Sequence, residues 1–298
     1  MSPLSPLSIA GAGPVAQALG RRLVLSGHTV AAVASRTPER AASAAAFIGG
    51  DAIACGYEDL AALGLPTIVA VTDAAIPGVA ARMATAARAG GNVVVHTCGA
   101  SGAEPLASLA RAGWRCGMCH PLQTFPSAAQ GVDAIAGATF GIAGHEDACA
   151  WAEGLVGAMG GVPVRLREGA LPLYHAAAVL AGNGAFALIE AALLLLEGAG
   201  IPRTHGRPAL APLVQRSVAN ALAPDADLRL TGPVARGDSG TVARHAEALA
   251  HAPAEAARAY EALGDLLLTI SARRGLSPDT VQAVRDALHA ERTLDGNH

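Results

Sequence analysis

Lysine is missing altogether: all 21 basic residues among the 298 are arginine. Schiff-base chemistry, a Walker-type phosphate lysine and a lysine general acid are thereby excluded. Aromatic residues are scarce at 3%, too few for a base-stacking platform. Charged residues reach only 15% and the net charge is −3, so neither nucleic acid nor an anionic membrane is implied as a partner. The chain starts Met1-Ser-Pro-Leu-Ser-Pro-Leu7, with no positive region before its apolar stretch, and does not read as a secretory signal. Cysteines are few and odd in number (Cys55, Cys98, Cys116, Cys119, Cys149), so reduced thiols in a cytoplasm are expected.

Apolar residues, by contrast, make up 52%, which excludes a disordered chain and allows a generous core. In the first half, short apolar runs near 7–10, 29–34, 67–71, 92–96, 115–119, 138–142 and 162–165 alternate with Ala-rich stretches near 15–26, 38–46, 76–89 and 146–159. That alternation predicts an α/β domain with a doubly wound, Rossmann-like parallel sheet. After about residue 170 no strand is evident. Helical stretches run near 173–199, 207–222, 242–249, 253–273 and 278–288, punctuated by Pro and Gly. Two domains are therefore expected: residues 1–168, α/β, and 169–298, all-helical. Residues 176–196 are apolar enough to span a bilayer, but they carry Asn183 and Glu190 and lack a basic flank. A buried helix of a large helical domain, or one at a dimer interface, is expected instead, with no membrane partner; the predicted assembly is a homodimer.

Residues 7–16 read Leu-Ser-Ile-Ala-Gly-Ala-Gly-Pro-Val-Ala, a strand running into Gly11-x-Gly13-x-x-Ala16 and a helix. Gly11 permits the tight turn, Gly13 lets a pyrophosphate approach the backbone, and Ala16 keeps helix and strand close. The helix start at Pro14 and Val15, after Ala12, offers free N–H groups and a positive dipole end. The second strand ends in Ser35-Arg36-Thr37, with Arg40 a turn further and no carboxylate until Glu39. A guanidinium and hydroxyls suit a 2′-phosphate, so NADP is expected over NAD. Two further strands end in Thr72-Asp73 and in His96-Thr97-Cys98-Gly99, at the edge where open α/β sheets bind ligands. Asp73 fits equally as the N-cap of the next helix.

Cys116-Gly-Met-Cys119-His120 matches a haem-attachment pattern, but an exported chain is not expected; zinc is disfavoured too, because no second ligand pair stands at suitable spacing. The two thiols read as core and no metal is expected. His120-Pro-Leu-Gln123 follows a strand end, where proline holds the chain extended and aims the ring, and Gln123 adds a neutral donor and acceptor. His175 and Asn183 stand two turns apart on one predicted helix, separated by small residues. With lysine absent, His175 is the expected acid and Asn183 the orienting donor, against the alternative of a histidine bonded inside a helix interface. Arg236, in the loop Thr231-Gly-Pro-Val-Ala-Arg-Gly-Asp238-Ser239, is a candidate anchor for a substrate carboxylate or a cofactor phosphate, or a loop clamp with Asp238; Asp238 or Ser239 suits the cap of the next helix.

The order of the Gly11–Ala16 fingerprint, His96-Thr-Cys-Gly, His120-Pro-Leu-Gln-Thr-Phe, Tyr174-His175…Asn183 and Thr231-Gly-Pro-Val-Ala-Arg-Gly-Asp238 resembles a bacterial two-domain family. Its members join a Rossmann-like domain to an uncharacterised helical one. That family is similar to ketopantoate reductase, pyrroline-5-carboxylate reductase, deazaflavin-dependent NADP reductases and the β-hydroxyacid dehydrogenases. The resemblance implies a cofactor at the domain cleft, a helical domain that often dimerises, and a ketopantoate-like 2-oxo acid as the leading substrate. The sequence departs from the pattern in three places: His175 stands on the helix that often carries lysine, Cys98 replaces a serine, and Gly182 replaces the serine before Asn183. The expectation is an NADPH-dependent reductase of a small carbonyl or imine; the alternative is a non-catalytic NADP-binding sensor.

Overall fold

Short runs of β-branched and small apolar residues form the strands, and Pro or Gly starts most of the helices between them. The protein was analysed as a computed structural model that describes residues 5–88, 92–167 and 169–290. The alternating elements are β1 (Leu7–Ala10), α1 (Pro14–Leu25), β2 (Val30–Ala34), α2 (Pro38–Ile48), β3 (Ile53–Cys55), α3 (Tyr57–Ala62), β4 (Thr67–Val69), α4 (Ile76–Thr85), β5 (Val93–His96), α5 (Ala107–Arg111), β6 (Arg115–Pro121), α6 (Ala128–Ala134), β7 (Thr139–Gly144), α7 (Glu146–Ala158) and β8 (Val162–Arg165). The strands order as β3-β2-β1-β4-β5-β6-β7-β8. Every pairing is parallel except β6 with β7, which run antiparallel with His120 opposite Gly141.

The sheet is covered on both faces. On one side Leu7, Ile9, Leu19, Leu23, Ile48, Phe140 and Leu155 form a dry core; on the other, Tyr57, Leu60, Ile76, Met83, Leu106 and Trp114 do so. The central strands are buried on both sides, which is why they read as unbroken apolar runs. The one polar pair there, Ser8 and Thr67, satisfies itself by a 2.9 Å hydroxyl–hydroxyl hydrogen bond between β1 and β4.

The sequence reading missed β3, which has three residues and little burial. It also ran the fourth helix to residue 89, whereas α4 ends at Thr85 and residue 89 lies outside those described. The change from α/β to all-α follows β8, close to the expected boundary; position 168 itself lies outside the described residues. The first compact unit nevertheless extends to Gly182. It keeps α8 (Leu171–Ala181), whose Leu171 clusters with Met118 and Ala143 of the sheet.

The second unit begins at Asn183 and holds α9 (Asn183–Gly198), α10 (Arg203–Ala221), α11 (Ala226–Arg229), α12 (Pro233–Arg236), α13 (Ser239–Leu249), α14 (Ala254–Arg273) and α15 (Pro278–Leu288). Its core is small: Val234, Val242, Leu268, Val284 and Leu288. Asp238 caps α13 by accepting from the Thr241 N–H at 2.9 Å, one of the two caps the sequence offered. The run 176–196, expected as a buried helix, is not covered within the single chain. In this single chain Leu180 is 75% and Phe186 69% exposed. Leu171–Gly198 is the one stretch among the described residues long and apolar enough to cross a membrane.

Candidate active site

The first half of the site is a groove at the carboxyl edge of the central strands. Gly11 follows β1 with φ +146°, and its N–H donates to the Ala34 carbonyl at 2.8 Å. A Cβ there would lie 2.1 Å from the Ala70 carbonyl oxygen, so only glycine fits. Gly13 is the N-cap of α1 and offers no side-chain acceptor to the first-turn N–H groups. A Cβ on Gly13 would meet nothing within 4 Å, so these donors open onto space rather than onto packed protein. Beyond them lies a cavity of about 410 Å³, lined by Ala12, Gly13, Pro14 and Val15 on the helix side. Ser35, Arg36 and Arg40 line it after β2, and Tyr57, Ala70, Val71, Thr72, Ala75, Val79 and Thr97 complete it.

Of the residues the sequence assigned to a cofactor, Ala12, Gly13, Pro14, Val15, Ser35, Arg36 and Thr72 line this cavity. Gly11 shapes the turn beneath it. Thr37 is corrected to an N-cap: its hydroxyl accepts from the Arg40 N–H at 3.4 Å, and it stands outside the lining. Arg40 stood out only as a neighbour of the basic strand end, Thr97 only as part of a strand end at the ligand-binding edge, and Tyr57 and Val79 carried no local signal. Tyr57 is buried below the groove, with the Arg82 guanidinium 5.0 Å from its ring centroid. Burial pushes its phenol up in pKa, and Arg82, Arg36 and Arg40 pull it back. Arg82 itself is held by Glu58 in a two-pronged bond of 2.7 and 2.8 Å.

The second half is a set of imidazoles around the β5 and β6 ends. His96 is fully buried at the end of β5; its Nε2 bonds the Gly102 carbonyl and its Nδ1 accepts from the Cys98 N–H at 3.1 Å. Burial holds its pKa below the ordinary imidazole value, so it is a neutral clamp for the loop 97–102. The buried Cys98 thiol is pushed up in pKa, by burial foremost and then by the nearby Asp73 carboxylate. Asp73 is not the N-cap the sequence allowed. Thr72 precedes the short 3₁₀ turn Asp73–Ala75, so Asp73 is its first residue, and α4 follows from Ala75. Neither Asp73 nor Cys98 lines the cavity.

His120 sits at the end of β6. Its Nδ1 lies 3.1 Å from the Tyr174 hydroxyl, and the two rings meet edge-on at 5.6 Å. His175 of α8 meets the same imidazole edge-on at 5.7 Å. Burial foremost, then the His175 charge, brings His120 down to about 4, so it is uncharged at neutral pH. The structure therefore brings together His120 and His175, and adds Tyr174, to which the sequence had assigned no role. Gln123 is turned onto its own loop: it accepts from the Thr124 N–H at 2.8 Å and donates to the Ala134 carbonyl at 3.4 Å. Asn183 opens α9 and Arg236 closes α12, both exposed residues of the second unit. Cys116 and Cys119 lie buried in β6 with thiols pushed up to about 11 and about 12 by burial, as core residues would be. No cluster of three metal-ligating side chains occurs among the described residues.

The profile of a Rossmann-like domain matches residues 3–126, and that of a domain of unknown function (DUF2520) matches residues 138–266. Among solved structures, a candidate NADP oxidoreductase from Bacteroides fragilis superposes with a TM-score of 0.68 at 24% identity, covering 88% of this chain and 97% of its own. A Streptomyces aurantiacus imine reductase gives 0.59 at 18% identity over 96% and 93% of the two chains. Pyrroline-5-carboxylate reductase from Coxiella burnetii gives 0.60 at 17% identity over 95% and 98%. At these identities the likeness is one of fold. No curated protein sequence matches the chain.

Proposed function

From a chain that joins a Rossmann-like domain to DUF2520, we propose an NADPH-dependent reductase of a small carbonyl or imine, with a ketopantoate-like 2-oxo acid as the first substrate to test. One observation carries the reading: an open groove in which uncapped helix N–H groups and two guanidiniums, Arg36 and Arg40, line the same cavity. That donor set fits a dinucleotide with an extra phosphate. The names of the fold neighbours, which include an NADP oxidoreductase, an imine reductase and a pyrroline-5-carboxylate reductase, support the same class.

Gly11 to Val15 would hold the pyrophosphate, and Ser35, Arg36 and Arg40 the 2′-phosphate. When bound, NADPH supplies the two-electron reductant. The remaining work falls to side chains. His120 donates a hydrogen bond to the substrate oxygen or nitrogen as negative charge grows there, and His175 delivers the proton. The apolar surface of α8 and α9, uncovered in one chain, is proposed as the face of a homodimer, which light scattering after size exclusion checks. The function is tested by NADPH oxidation over a panel of 2-oxo acids, cyclic imines and ketone–amine mixtures. Turnover on one class, reduced at least about 100-fold by His175→Ala, is expected. No turnover on any class, with NADPH still bound, would leave the non-catalytic sensor; unchanged turnover in the variant would remove His175 from its role.

A further inference from the structure

The phenol of Tyr174 is wedged into the sheet. It lies over Gly141 of β7, where a Cβ would come within 2.8 Å of its Cζ and 2.9 Å of its hydroxyl. The His120 ring is seated likewise on Gly99, where a Cβ would lie 2.8 Å from its Cγ. Two glycines, one in the loop after β5 and one in β7, therefore fix both partners of the 3.1 Å contact. No described residue takes Nε2 of His120, while its Nδ1 is engaged.

We infer that Tyr174 is a positioning residue: its hydroxyl donates to Nδ1 of His120 and so keeps the single proton of the neutral imidazole on Nε2. The direction of this bond follows from what surrounds the phenolic oxygen. The His120 carbonyl already serves the β6–β7 ladder opposite Gly141, which leaves Nδ1 as the less engaged acceptor for the phenol proton. Two acceptors are within reach, Nδ1 at 3.1 Å and the His120 carbonyl at 3.4 Å. The shorter one is the better hydrogen bond. Burial keeps the phenol protonated. The charged or titratable groups facing His120 are Asp73 from the loop after β4, His96 from β5 and His175 from α8. None of them hydrogen-bonds Nδ1.

The consequence is a neutral N–H donor of fixed direction, preorganised before substrate arrives and needing no proton uptake. This inference rests on the reading that the imidazole set serves a reduction, but its test does not. Uniform ¹⁵N-histidine labelling and two-bond ¹H–¹⁵N correlation report the tautomer of His120 in the full-length protein without any substrate. The resonance, assigned by its loss in His120→Gln, is expected in the Nε2–H form from pH 8 down to pH 6. In Tyr174→Phe the Nδ1–H population should rise about five- to tenfold, the loss of one neutral hydrogen bond. The imidazole should also become easier to protonate. Should Tyr174→Phe fail to fold, biosynthetic 3-fluorotyrosine, a stronger phenol donor, should move the His120 Nδ1 shift further toward the hydrogen-bonded acceptor. A wild-type Nδ1–H tautomer, or tautomer and pH profile unmoved by both changes, would overturn the inference. Absence of turnover would instead count only against the reductase.

Discussion

Replacing Arg36 by alanine removes one of the two guanidiniums that line the nucleotide cavity and leaves Arg40, Ser35 and the Gly-rich turn in place. A hydrogen bond to a charged group contributes about 1.5–3 kcal/mol. Arg36 is exposed, so water and salt screen it, and the low end applies. About 1.5–2 kcal/mol corresponds to roughly a 10- to 30-fold rise in the NADPH dissociation constant. NADH lacks the phosphate, so its affinity should move less than about twofold. Isothermal titration with both nucleotides, at 50 mM and 300 mM salt, measures this directly. The wild-type preference for NADPH should shrink at the higher salt, and the variant should show little preference at either. Equal losses for the two nucleotides, or no loss for either, would refute the placement of the phosphate at the end of β2.

Two glycines of the same turn should behave oppositely. Gly11→Ala forces a Cβ to within 2.1 Å of the Ala70 carbonyl at a φ of +146°, and should destabilise the fold by more than about 2 kcal/mol in urea titration. Gly13→Val meets nothing within 4 Å of its Cβ and has an extended backbone, so the melting temperature without ligand should hardly change while nucleotide stabilisation disappears. His120 is lowered from the ordinary 6.5 to about 4 in the folded state, so the unfolded chain binds a proton first as pH falls. The folded state therefore keeps its full stability above about 6.5 and loses it progressively down to about 4. His120→Gln should flatten that part of the stability–pH curve, while buried His96, shifted in the same direction, keeps some slope.

Much of the first unit was legible because its signals are local. The strand before Gly11, the helix after Pro14 and the basic end of β2 are contiguous in sequence, and each predicts its own backbone. β3 escaped because three partly exposed edge residues show no periodicity. The antiparallel turn of β7 escaped because a strand buried on both faces reads the same in either direction. In the imidazole set, sequence offered His120 and His175 but not what Tyr174 does. That role depends on Gly99 and Gly141, which only the fold brings against His120 and Tyr174. The apolar run 176–196 was legible as a surface to be covered, but apolarity does not say whether the same chain covers it, and within one chain it is largely exposed.

The central claim is that the groove above Gly11–Val15 takes a phosphorylated dinucleotide. Thermal unfolding of the wild-type protein at saturating NADPH, at equal NADH and without ligand tests it most directly. A rise in melting temperature with NADPH that exceeds any with NADH is predicted. No shift with either nucleotide, or a larger one with NADH, would contradict it.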